Sequence, residues 1–319
     1  MNPGMLTVVI PAYKPDFLSA ALQSLAAQSV KDFEVLVADD CSPHSLADIT
    51  RTFETDLRIG YHRFPSNLGS KSLPAQWSRS VRLTGSPWVW LFSDDDTVDP
   101  NCVEVLLSAL AGPAAETARV FHFNTRIVDQ TGQLIRETAR YPARLSAAEF
   151  VQGRMDMRYS SFACEYVFSR AAFDEIGGFV DFPAGWCSDD ATWVALVGDA
   201  DIVTLGGPMV NWRRSEKNIS SPGSGFGPEK AEAMISYLEW LAQRRVTGTL
   251  GSGARWFLKL LREQGLKLGA RRCVQAASAI HQFDGSARLA CVTSLLSNDL
   301  LRTAGTIKSI SRGIFGRKV

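Results

Sequence analysis

The sequence predicts an α/β protein: a mostly parallel central sheet flanked by helices, followed by a helical C-terminal region. Three observations lead there. Short apolar, β-branched runs alternate with segments of helical period through the first hundred residues. Three of those runs end in polar or acidic residues, as strands do where a parallel sheet binds its ligand. From Pro228 onward the pattern is mainly helical. With 45% hydrophobic and 21% charged residues among 319, the chain can bury a core in one large domain or two modest ones, and bulk disorder is excluded.

The elements follow in order. Leu6–Ile10 is a buried strand that closes on Pro11, and Pro15–Gln28 carries Phe17, Leu18, Ala21, Leu22 and Leu25 at helical spacing. Phe33–Ala38 is a second strand running into Asp39 and Asp40. Ser45–Phe53 reads as a helix, Leu57–Tyr61 as a third strand and Leu73–Leu83 as a helix. Pro87–Phe92 is a fourth strand running into Ser93-Asp94-Asp95-Asp96, with a helix from Pro100. Beyond Val120–Phe123 the pattern changes. Arg126–Val128 and Gln133–Arg136 flank a hairpin-like turn, and Cys164–Ser169 precedes a helix that Gly177 and Gly178 stop. Asp189–Val197 is a helix opening on two carboxylates. Ile202–Leu205 and Met209–Trp212 are two strands, and Ser220–Pro228 is a linker.

Composition narrows the function. Six scattered cysteines form no C-x-x-C pair, and four histidines lie far apart, so zinc spacing is absent and the thiols fit a reducing cytosol. The start lacks a signal-peptide pattern, and no apolar run is long enough for a membrane span, so a cytoplasmic location is expected. Net charge is only +1, with no indication of nucleic acid as a partner. The charge is uneven, however: 22 Lys and Arg against 30 Asp and Glu in residues 1–250, then 12 against 3 in 251–319. For Arg255–Lys267 a packed helix with a basic outer face is expected; for Ile307–Val319, contact with an anionic membrane surface.

Several clusters carry chemistry. Asp94-Asp95-Asp96 places three adjacent carboxylates at a strand tip, where a hard divalent cation, Mn2+ or Mg2+, would relieve their repulsion; a solvated acidic turn is the plain alternative. Asp39-Asp40-Cys41-Ser42 offers carboxylates to a base or ribose, although helix capping, at which Asp and Ser are both good, is the better reading of this cluster taken alone. Trp186–Trp193 sets Asp189 and Asp190 at a helix start beside aromatics, a place for a general base or simply for a cap. Pro11-Ala12-Tyr13-Lys14 sets an aromatic and a cation at the first strand tip. Asn67–Lys71 is a loop able to close on phosphates, and Arg213 lies in a basic stretch suited to a diphosphate.

Taken as an ordered series, these motifs resemble the family-2 glycosyltransferases of the GT-A fold over roughly residues 5–215. The resemblance implies a domain over 1–219, with a nucleotide-sugar half at about 1–100, an acceptor half at about 101–219 and a basic helical region over 220–319. It implies that Asp39 binds the nucleotide base, with Pro11, Ala12 and Tyr13 around it. Asp40, Asn67, Lys71, Asp94, Asp95 and Arg213 would line the nucleotide sugar. The metal would fall to Asp96 or Asp95, and the general base to Asp189 or Asp190. Two departures stand out. Registered on Pro100, the first position of the family's D-x-D-D pattern is Ser93; and Ser188 replaces the Glu that often precedes the catalytic Asp, which favours Asp189 as base. The implied reaction is inverting transfer from a nucleoside-diphosphate sugar, UDP-linked by first expectation. The acceptor would be a saccharide or lipid-linked hydroxyl in bacterial surface polysaccharide assembly, on the inner face of the cell membrane.

Two rivals differ in class. Asp94-Asp95-Asp96-Thr97-Val98 also fits a haloacid-dehalogenase-type phosphohydrolase, with Asp94 as nucleophile, Asp96 as acid and Asp189-Asp190 as metal ligands. That motif normally follows the first strand of its domain, and here three strands precede it. The other rival is a nucleotide-sugar binder without catalysis, which the presence of all three acidic clusters disfavours.

Overall fold

In the computed structural model, residues 4–215, 218, 225–247, 251–266 and 268–284 are described. Strand β1 (Leu6–Ala12) is buried at all but Pro11, because both faces of the sheet are covered there. It pairs in parallel with β2 (Glu34–Asp39) on one side and β4 (Trp88–Leu91) on the other, and β2 pairs in parallel with β3 (Arg58–Arg63). Helices α1 (Leu18–Ala26), α2 (Leu46–Arg51) and α3 (Leu73–Val81) make the crossovers. Ser72 caps α3 by accepting the Ala75 N–H at 3.0 Å, and Pro74 occupies its first turn.

The sheet becomes mixed beyond β4. Its order is β3-β2-β1-β4-β9-β6-β10-β5, where β5 is Thr97–Val98, β6 Val120–Val128, β9 Tyr166–Ser169 and β10 Asp201–Arg213. β9 runs antiparallel to both β4 and β6, β10 runs parallel to β6, and β5 antiparallel to β10. Two short strands, β7 (Leu134–Glu137) and β8 (Arg144–Ser146), pair with β6 and β10. The two strands expected at 202–212 are one. Gly206, Gly207 and Pro208 shift its register between Leu205 and Val210, but pairing to β6 resumes on the far side. Pro100 stands just outside α4 (Cys102–Leu110) rather than in its first turn.

Two apolar layers cover the sheet. On one face Leu6, Val8 and Ile10 meet Leu18, Leu22 and Leu25 of α1 and Val103 and Leu106 of α4. On the other, Val9, Val89 and Leu91 meet α5 (Ala147–Met155), α6 (Arg170–Glu175) and α7 (Ser188–Val197). Helix α5 has no clear apolar stripe, and the sequence pattern did not point to it. Its signal is a capping box, Ser146 with Glu149.

The second layer continues into α8 (Gly227–Gln243), α9 (Ser252–Glu263) and α10 (Ala270–Asp284) through Met234, Tyr237, Trp256, Phe257 and Phe283. The C-terminal helices therefore share a core with the sheet domain. Within the stretch Arg255–Lys267, Trp256, Phe257 and Leu261 are buried, while Arg255 faces Asp156 at 3.7 Å and Lys259 faces Glu263 at 3.6 Å. The stretch 307–319, expected to meet a membrane, lies outside the described residues. Among the described residues, no helix is long and apolar enough to cross a membrane.

Candidate active site

The carboxyl ends of β1, β2 and β4 meet at one edge of the sheet, and side chains tie them together. Asp94 Oδ2 accepts the backbone N–H groups of Tyr13 and Lys14 at 3.0 and 3.1 Å, locking the β4 tip to the β1 tip. Ser42 Oγ donates to the Tyr13 carbonyl at 2.6 Å, adding the β2 tip. Tyr13 itself is 39% exposed, an aromatic ring left open beside the joined strand tips. Pro11 is partly buried and Ala12 buried, so they shape the floor.

Asp39 is fully buried. Its Oδ1 accepts the Ser42 N–H at 2.6 Å, and its Oδ2 accepts Arg63 Nη1 at 2.6 Å and the Tyr61 hydroxyl. Burial, then the carboxylate beside it, raises the Tyr61 pKa. Asp40 sits one layer back and shapes a loop. Its Oδ1 accepts the Leu68 N–H at 2.8 Å and Arg79 Nη2 at 2.5 Å, and its Oδ2 accepts the Gly69 N–H at 2.8 Å. A Cβ on Gly69 would lie 2.7 Å from Asp40 Oδ2, so this approach requires glycine. Asn67 Oδ1 accepts the Ser70 N–H at 2.8 Å, completing the turn, and Lys71 is exposed at its end.

The acidic triplet divides by role. Asp94 holds the β1 tip, as above. Asp96 is fully buried; its Oδ1 accepts the Arg213 N–H at 2.7 Å, and burial pushes its pKa up to about 6. Asp95 is partly exposed, and burial, then its charged neighbours Asp96 and Asp94, holds its pKa well above the usual range. Arg213 does not reach out to solvent as a diphosphate ligand would. It is buried. Its Nε donates to the Asp95 carbonyl at 2.7 Å, its Nη1 to the Gln130 and Asp129 carbonyls at 3.0 and 3.2 Å, and its guanidinium carbon lies 4.7 Å from the Phe17 ring centroid.

Asp189 and Asp190 open α7, after a left-handed turn at Cys187 (φ 62°). The preceding loop packs on the start of α3: Ser72 Oγ donates to Asp181 Oδ2 at 2.7 Å, and a Cβ on Gly185 would meet Leu73 and Pro74 at 3.3 Å. Through α3 and the Asn67–Lys71 loop, this acidic pair joins the β2 tip. The two carboxylates differ. Asp190 is buried and accepts Arg154 Nε at 2.8 Å. Asp189 is partly open, and burial, then the charge of Asp190, raises its pKa to about 7. Helix α8 covers the far side: Lys230 Nζ lies 4.7 Å from the Trp186 ring centroid and donates to Gln264 Oε1 at 2.8 Å.

Four supporting residues were not visible in the sequence: Tyr61, Arg63, Arg79 and Arg154. Each is a single residue in a strand or helix with no motif around it, and only the fold sets it against its carboxylate.

The chain resembles known proteins. Residues 7–165 match the family model for glycosyl transferase family 2. The chain belongs to glycosyl transferase family 2. Its mixed sheet has GT-A neighbours: Staphylococcus aureus TarS residues 1–349 superpose with a TM-score of 0.62 at 16% identity, over 91% of this chain and 82% of that one. The mannosyltransferase PcManGT from Pyrobaculum calidifontis, in complex with GDP-Man and Mn2+, gives a TM-score of 0.50 at 15% identity, over 96% and 81%. In sequence, validoxylamine A glucosyltransferase of Streptomyces hygroscopicus subsp. limoneus is 30% identical over 210 residues, 58% of this chain and 46% of that protein. Succinoglycan biosynthesis protein ExoW of Rhizobium meliloti is 56% identical over 96 residues, 27% of this chain and 30% of that protein. The chain spans about half the length of the glucosyltransferases it matches.

Membership in family 2 leaves the phosphohydrolase reading without support. The acidic triplet of this family-2 chain follows the fourth strand, and Asp96, the acid of that scheme, is buried under Arg213. The family match ends at residue 165, so Asp189, Asp190 and Arg213 lie beyond it.

Proposed function

We propose that this chain is an inverting glycosyltransferase. It moves a sugar from a nucleoside-diphosphate donor, UDP-linked by first expectation, to a hydroxyl of a saccharide or lipid-linked acceptor. The observation that carries the reading is the division of labour among the carboxylates. Asp94, Asp96 and Asp190 are tied into the protein, whereas Asp95 and Asp189 stay partly open.

The residues suit a divalent cation at Asp95. Three carboxylates crowd there, and Lys14 and Arg213 are the cations credited with offsetting Asp95. Among the described residues, no three His, Cys, Asp or Glu side chains form a cage, so the ion would share Asp95 with the donor's diphosphate. Bound there, Mn2+ or Mg2+ would stabilise charge on the departing nucleoside diphosphate. This favours Asp95 over Asp96 as the metal ligand, in keeping with the register fixed by Pro100 rather than one in which Asp94 and Asp96 form the D-x-D.

The chain's own residues do the rest. Tyr13 offers a stacking face for the base, and the turn at Asp39–Ser42 with the Asn67–Lys71 loop bounds the nucleotide. Lys71, exposed at the end of that loop, would lie near the donor. Asp189, with a proton affinity near neutrality, takes the proton of the acceptor hydroxyl as it attacks the anomeric carbon. One base and one displacement invert the centre. The rigid sheet edge holds donor and acceptor in line.

The names of the relatives support the donor class and the setting. TarS has been solved with UDP-GlcNAc and PcManGT with GDP-Man, and ExoW is named for succinoglycan biosynthesis. Surface polysaccharide assembly on the inner face of the membrane is the setting we propose.

Calorimetry with UDP, GDP and dTDP, in Mn2+, in Mg2+ and in EDTA, tests the site on wild type and Asp95→Ala. Metal-dependent binding of one nucleotide, lost in the variant, is the expected result. Binding that ignores both the metal and Asp95 would overturn the reading.

A further inference from the structure

Asp190 stands beside the proposed base and is gripped by α5. Arg154 Nε donates to Asp190 Oδ2 at 2.8 Å, and Arg154 Nη1 donates to the Tyr159 carbonyl at 2.8 Å. Both side chains are largely shielded, at 23% and 4% exposure. The chain is built to make this fit. Met157 turns left-handed at φ 56°, and Tyr159 folds back so closely over Gly153 that a Cβ there would lie 2.1 Å from its ring.

From the C-terminal region, α8 supplies Tyr237. It is fully buried and packs on Phe182, ahead of the acidic pair, with ring centroids 6.2 Å apart. Helix α8 packs on α7 and on the turn at Pro183–Gly185 that leads into it, and burial, then the charge of Asp190, pushes the Tyr237 phenol well up. Among the described residues, neither Tyr237 Oη nor Asp190 Oδ1 has a hydrogen-bond partner. A carboxylate oxygen only accepts and a phenol readily donates, so the two are complementary in kind, although no hydrogen bond joins them in this structure.

We propose that Arg154 and Tyr237 are positioning residues for Asp189, acting through Asp190, so that the C-terminal helices belong to the reaction centre. This rests on the reading of Asp189 as the base. Asp190 is then no second base, because its Oδ2 is committed to Arg154. It anchors the first turn of α7, and with it the direction in which Asp189 points. It also keeps a negative charge beside Asp189. The groups facing the pair are Arg154 of α5, Tyr141 of the loop before β8, Tyr166 of β9, Cys187 before α7 and Tyr237 of α8, with Glu165 behind the two β-side tyrosines. Arg154 is the cation in that set, and its guanidinium holds Asp190 through a charge-assisted hydrogen bond that water does not reach freely.

The test uses the full chain with Mn2+, following hydrolysis of UDP-glucose, UDP-GlcNAc and GDP-mannose by release of nucleoside diphosphate. Donor affinity is measured separately by calorimetry. Tyr237→Phe and Arg154→Met should each lower kcat about tenfold or more at unchanged donor affinity, and Arg154→Lys should recover part of the loss. Asp190→Asn removes the neighbouring charge and should move the acid limb of the kcat profile about one pH unit lower. Because Arg154→Met strands a buried carboxylate, the double variant Arg154→Met/Asp190→Asn serves as the folding control. It should regain thermal stability but not kcat. Recovery of kcat with stability, or an unmoved acid limb in Asp190→Asn, would overturn the proposal. Asp189→Asn separates the two readings. If it stays active, the base assignment falls; if it is dead while Tyr237→Phe and Arg154→Met keep full kcat, only the positioning role falls.

Discussion

Arg213 and Asp95 are bound through the main chain: Arg213 Nε donates to the Asp95 carbonyl at 2.7 Å, leaving the Asp95 carboxylate outside the contact. The same residue's N–H reaches Asp96 Oδ1 at 2.7 Å, and its Nη1 reaches the turn at Asp129 and Gln130. One buried cation therefore fixes the loop that presents Asp95. Replacing it with methionine should loosen that loop and weaken Mn2+-dependent nucleotide binding about tenfold or more, with lysine recovering little, because lysine lacks the planar fork. Calorimetry on Arg213→Met and Arg213→Lys checks this; unchanged affinity would contradict it.

Asp189 should write itself into the pH profile. Its pKa stands at about 7, and the base must be ionised, so kcat should rise with pH through about 7 and then level. Stability runs the opposite way. A carboxyl raised in the folded state binds its proton there while the unfolded chain has released it, so folding weakens as pH climbs from the ordinary carboxylate range to about 7. Asp189→Asn should therefore melt higher than wild type at pH 8 and nearly level with it at pH 4, while losing transfer. Scanning calorimetry at both pH values reads the difference.

Gly69 tests the loop that we propose bounds the nucleotide. In Gly69→Ala the new methyl would press on Asp40 Oδ2, which has no room to withdraw because Arg79 holds the same carboxylate. A stability loss of about 1–3 kcal/mol is expected, together with weaker nucleotide binding. Urea unfolding at constant m-value measures it.

Tyr13 should matter to binding alone. At 39% exposure its ring contributes little to the core. Stacking of a base on such a ring is worth about 1–3 kcal/mol, so Tyr13→Ala should weaken nucleotide binding roughly tenfold or more without moving the melting temperature. A variant that binds normally would show that the base lies elsewhere.

Much of the fold is legible from local pattern. β1 and β4 are buried on both faces and so read as continuous apolar runs, β2 is buried on both faces only from Val37 on, and each leads into its polar tip. The part of the sheet beyond β4 is harder to read. The break in β10 looks like the end of a strand because Gly206, Gly207 and Pro208 interrupt the pattern, yet β6 holds both sides in one ladder. Helix α5 packs without an apolar stripe, so its capping box is the better signal.

The sequence alone determined which residue types stand at the strand tips. Acidic clusters after apolar strands, in that order, were enough to reach the family. The tertiary structure decided what each carboxylate is free to do. Asp94, Asp95 and Asp96 are equivalent as letters, as are Asp189 and Asp190. They differ because Tyr13, Arg213 and Arg154 arrive from far along the chain and occupy some of them, leaving Asp95 and Asp189 open. A carboxylate's chemistry depends on its burial and on its partners, and both are set by contacts between distant segments.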